Sequence, residues 1–109
     1  MNELTNNIER IIDVVVSSCI TTITINGDEL VTREEILSHS RKQNAVKARH
    51  ILAYALHRYG YTTSTICGLL KCTPSAVSKM ISQHESYKQT NKAYMLACRS
   101  IKRVIEDAE

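Results

Sequence analysis

The sequence predicts an all-α fold, and three observations carry that prediction. Aliphatic residues recur at three- and four-residue spacings in several separate segments, the mark of helices with one buried face. The chain has no Trp, no Phe and five Tyr, so Ile, Leu, Val and Ala must fill the core. That composition suits helices better than a sandwich or barrel. Three Gly and one Pro in 109 residues leave few natural breaks. A chain of this length makes one domain with a single modest core. Residues 1–29 read as an acidic N-terminal helix and connector, and residues 30–109 as a helical body.

The elements follow in order. Leu4, Ile8, Ile11, Ile12, Val15 and Cys19 share one face of a helix over residues 3–19. In "ITTITINGDELVT", β-branched residues flank Asn26-Gly27, a dipeptide suited to a type I′ turn. A small N-terminal β-hairpin at about 20–32 and a bare loop between helices fit these residues equally well. "TREE" is a capping box, with Thr32 as N-cap and Glu35 reaching back, opening a short helix to about Ser38. "SRKQNAVKARHILAYALHRYG" is basic at first and apolar afterwards. Val46, Ile51, Leu52, Ala55, Leu56 and Tyr59 give it a wide buried stripe, and Gly60 stops it. This helix is the expected spine of the domain. A last amphipathic helix, about Thr90 to Asp107, offers Tyr94, Ala97, Cys98, Ile101 and Ile105 to the core.

Between these two lies "CGLLKCTPSAVSKMI", which admits two readings. Cys67 and Cys72 with His84 resemble half of a zinc site, but zinc wants a second close pair of ligands, and His84 and Cys98 are isolated. No metal and no cofactor are therefore expected. The other reading is helix, turn, helix. Ile66, Leu69 and Leu70 mark a helix from about Thr63 to Leu70, and Lys71-Cys72 form the turn. Thr73 caps the next helix, and Pro74 takes its first position, where an N–H would lack a partner anyway. Val77, Met80 and Ile81 then face inward, while Ser75, Ser78, Lys79 and Ser82 face out. Small polar residues at the start of an exposed second helix suit a helix-turn-helix, whose recognition helix must approach base edges closely.

Charge agrees with a polyanion as partner. Residues 1–37 hold two basic residues against seven acidic ones, net −5, and residues 38–109 hold twelve against four, net +8. Four scattered cysteines form no C-x-x-C pair and argue against a disulfide framework. No apolar run approaches the roughly 18 residues of a membrane span. The start, "MNELTNNIERIIDVVV", lacks the basic opening of a signal peptide, so the expected location is the cytoplasm.

"EEILSHSRKQNAVKARHILAYAL" resembles, without gaps, the opening of the C-terminal DNA-binding domain of the bacterial replication initiator DnaA, a Trp-repressor-like helix-turn-helix. The likeness rests on Ser-Arg-Lys followed by Ala-Arg-x-Ile and an apolar helix, and extends over about residues 30–105. It implies a stand-alone relative of that domain, without the ATPase, since no G-x-x-x-x-G-K-[ST] loop occurs. The resemblance implies Arg41 in the minor groove, Arg49 on DNA at the start of the long helix, and Thr73, Ser75 and Lys79 reading the major groove. Where the family carries Asp-His-Thr-Thr to read its nine-base-pair box, this chain has Thr73-Pro74-Ser75-Ala76, so recognition of that box is not expected.

The expected function is sequence-specific binding of double-stranded DNA, in regulation of transcription or replication. The expected contacts are Arg41, Lys42, Lys47, Arg49, Lys71, Thr73, Ser75, Ser78 and Lys79. The alternative is a protein-interaction module that binds a partner, or a second copy of itself, through the acidic N-terminal helix. An RNA role lacks the aromatic stacking platform it needs. No enzyme is expected, because His39, His50, His57 and His84 are spread over different elements and each reads as surface or capping.

Overall fold

A computed structural model describes residues 3–23, 32–38 and 43–107, which form six α-helices and no strand. The fold is all-α, as the composition predicts. In order they are α1 (Glu3–Ile23), α2 (Arg33–Ile36), α3 (Gln43–Arg58), α4 (Thr63–Leu70), α5 (Pro74–Thr90) and α6 (Lys92–Asp107).

The spine is α3, which touches every other helix. Its alanines explain how: Ala45, Ala48, Ala53 and Ala55 are buried together with Ile51, Leu52 and Leu56, so neighbours approach from several sides. Its end is set by Gly60, whose φ of 100° lies in the left-handed region. The Tyr61 amide then donates to the Leu56 carbonyl at 3.0 Å and the Gly60 amide to that of His57 at 3.2 Å. This is the Schellman closure, and the buried Leu56 and Tyr61 side chains supply its apolar contact.

The first and last helices pack on one another more extensively than any other pair. Ile11, Ile12, Val15 and Cys19 of α1 are buried, as are Tyr94, Ala97, Ile101 and Ile105 of α6. Between them the Ser18 hydroxyl donates to that of Ser100 at 3.4 Å. The N-terminal helix is thus part of the one core, not a flank attached to it.

Helix α1 runs one turn past residue 19, so Ile20–Ile23 are helical and not the first strand of a hairpin. The remainder of the expected hairpin, residues 24–31, lies outside the described residues. β-branched residues cost a helix at most about 0.7 kcal/mol each, and each added residue extends a ladder already nucleated. Here local strand propensity loses to that continuation.

The capping box of α2 is present: the Thr32 amide donates to Glu35 Oε1 at 3.0 Å and the Glu35 amide to Thr32 Oγ1 at 3.1 Å. Arg33 ties α2 to α1 through Glu9 at 2.7 Å and Asp13 at 2.8 Å. These groups are largely exposed, and such pairs contribute about 1 kcal/mol or less. A single residue, Asn91, joins α5 to α6; its side chain accepts from the Tyr94 amide at 2.9 Å and caps α6.

Candidate nucleic-acid interface

Helix α4 begins at Thr62, whose hydroxyl accepts from the Thr65 amide at 3.2 Å. It ends at Lys71, the one non-glycine residue of positive φ (56°) among the described residues. The Cys72 amide donates to the Cys67 carbonyl at 3.2 Å, which repeats the six-to-one bond that ends α3. In such a closure the side chains at the two ends of that bond meet. Those side chains are Cys67 and Cys72, both half-buried, with their thiols side by side. Burial first, then the Cys67 thiol, pushes the Cys72 thiol's pKa up. The C-x4-C spacing is therefore the imprint of a helix end, and the pair acts as a small hydrophobic contact.

The next helix starts where the sequence places it. Thr73 Oγ1 accepts from the Ala76 amide at 3.2 Å, and Pro74 occupies the first position. Val77 is fully buried, with Met80 and Ile81 half-buried behind it. Thr73, Ser75, Ser78 and Lys79 are exposed, and so is Lys71 in the turn. Five of the nine predicted contact residues thus come together at the turn and the first two turns of α5. Lys47 is half-buried on α3. Arg41 and Lys42 lie outside the described residues.

Arg49 differs from expectation. Its guanidinium is turned into the protein, with the residue 8 % exposed. Nε donates to the Ile36 carbonyl and Nη2 to the Glu35 carbonyl, each at 2.8 Å. The reason is the end of α2, whose last carbonyls have no partner within the helix. A cation at that end also complements the helix dipole. Burial lowers the pKa of this arginine, but the group keeps its charge.

Two histidines read as surface or capping residues are also buried. His50 is 9 % exposed, with Nδ1 at 2.8 Å from the Val46 carbonyl and Nε2 at 3.2 Å from Gln83 Oε1. His84 is 2 % exposed and stacks face to face on Tyr54, ring centres 3.6 Å apart and planes within 3°. Its Nδ1 lies 2.7 Å from the Tyr94 hydroxyl. Desolvation brings its pKa down to about 4, so the ring is neutral at pH 7. Periodicity could have placed His84 seven residues after Val77 on the same face of α5. His57, by contrast, is exposed as expected.

Comparison of the chain with protein-family models, with curated proteins and with solved structures found no match in any of the three. No helix among the described residues is long and apolar enough to cross a membrane.

Proposed function

We propose that this protein binds double-stranded DNA sequence-specifically and regulates transcription or replication in the cytoplasm. The observation that carries this reading is the exposed row Thr73, Ser75, Ser78 and Lys79 at the capped start of α5, with Lys71 beside it. Short side chains there let the helix backbone approach base edges. The resemblance of residues 30–105 to the DnaA domain supports the same use. It adds Arg41 and Lys42 as an arm for the minor groove, whose narrow form attracts a guanidinium. Arg49 holds α2 onto α3 and drops out of the contact set. The alternative, a partner or second copy bound through α1, has less support, because the apolar face of that helix is covered by α6 and α3.

The test is selection of bound sequences from random duplex DNA, followed by titration of the best site at several salt concentrations. Five phosphate contacts, from Arg41, Lys42, Lys47, Lys71 and Lys79, give a slope of log K against log[salt] of about −4 to −5. A flat response, or no selected sequence, overturns the reading.

A further inference from the structure

Away from the exposed start of α5, the second halves of α3 and α5 enclose a half-open cleft with α6, of volume about 140 Å³. A cavity of about 150 Å³ lined by apolar groups holds one benzene molecule, whereas drug-sized ligands need roughly 300 Å³ or more. The cleft is thus the size of one ring. Its walls combine two chemistries. Tyr54 and His84 are aromatic and already stacked on each other, and Ile51 and Ile101 are aliphatic. Arg58, Lys88 and Lys102 add three cations, and among the described residues no carboxylate lines the space. Lys88 and Lys102 are exposed and make no ion pair among the described residues. Arg58 stands beside the hydroxyls of Tyr59 and Tyr54.

The hydrogen bonding of His84 sharpens the picture. Tyr94 is fully buried, and among the described residues its hydroxyl has one partner, His84 Nδ1. In either tautomer the ring's other nitrogen, Nε2, takes no part in that bond. Nε2 has no hydrogen-bond partner among the described residues, on a residue that is 2 % exposed and forms part of the cleft wall. Glu85, the nearest acid felt by the ring, is exposed on the next position of α5.

We propose that this cleft binds a small aromatic carboxylate, a single ring bearing one carboxylate, among Tyr54, His84, Ile51 and Ile101, with Lys88 and Lys102 on its charge. A bare inorganic anion leaves the aromatic and aliphatic walls uncovered, and an uncharged ring leaves the lysines unmatched. The site is independent of DNA binding, and its test uses no DNA.

Benzoate serves as the probe, with acetate and benzyl alcohol as controls that lack the ring or the charge. Binding is followed by NMR on the intact, isotope-labelled chain, reading the His84 ring and the amides of α3, α5 and α6. The expected result is saturable shifts at His84 and its cleft neighbours with benzoate, and at least tenfold weaker binding of both controls. The double variant Lys88→Gln, Lys102→Gln changes two exposed residues, so its unliganded spectrum should match the parent's while benzoate affinity falls at least tenfold. No saturable shift, shifts centred elsewhere, acetate binding as well as benzoate, or full affinity in the double variant would each overturn the proposal.

Discussion

Arg49 shows how a charge expected on a ligand can instead be required by the protein. A lysine there keeps the charge but cannot fork to two carbonyls. Arg49→Lys should lower stability by about 2 kcal/mol, from the loss of one charge-assisted hydrogen bond, read as a lower urea midpoint. Arg49→Gln, which removes the charge, should leave the salt slope for duplex binding as in the parent; were Arg49 a phosphate contact, the slope would shrink by about one. His84 gives a second prediction. Its folded pKa is about 4, below the ordinary value of 6.5, so the unfolded chain binds the extra proton between those values. Stability from this residue is complete above pH 6.5 and is lost as pH falls toward 4, by ~3 kcal/mol at about 1.4 per unit. Urea midpoints between pH 7 and 4.5 should show that fall, and His84→Gln should flatten it.

At the scale of elements, the turn between α4 and α5 joins stability to the proposed recognition of DNA through Lys71. A non-glycine residue in the left-handed region is strained, and glycine removes that strain. Lys71→Gly should therefore raise stability by up to about 1 kcal/mol, while duplex affinity drops and the salt slope shrinks by about one. Opposite signs in the two measurements would separate the lysine's structural cost from its use. Much at this scale is legible in the sequence, because capping and periodicity are local physics. Thr32, Glu35, Gly60, Thr73 and Pro74 mark their helix ends correctly, and the stripe of α6 from Tyr94 to Ile105 is the one observed. The extra turn of α1 is not legible, since Ile20–Ile23 favour a strand locally. The inward turn of Arg49 and the Tyr54, His84 and Tyr94 cluster depend on which helices meet, and no local pattern encodes that.

For the whole molecule, the decisive feature is that α1 belongs to the core. Both α6 and α3 rest on that helix. Ile12 is fully buried in that contact. Ile12→Ala should cost about 2–5 kcal/mol by leaving a cavity, measured as loss of the cooperative urea transition's free energy. A helix attached outside an independent body would lose little. Glu9 and Asp13 of α1 lie beside α2, where Arg33 meets them, and Lys71 and Lys79 lie at the turn and start of α5.

The meeting of α1 and α6 also sets a clock. Ser18 and Ser100, which touch across it, are 82 positions apart in the chain. At about 5–20 residues per second, synthesis of the intervening stretch takes about 4–16 s. For that interval the apolar face of α1, with Ile11, Ile12 and Val15, exists without the helix that covers most of it. Chaperone capture and aggregation therefore have their opening in that interval, and α6 is the helix that closes it.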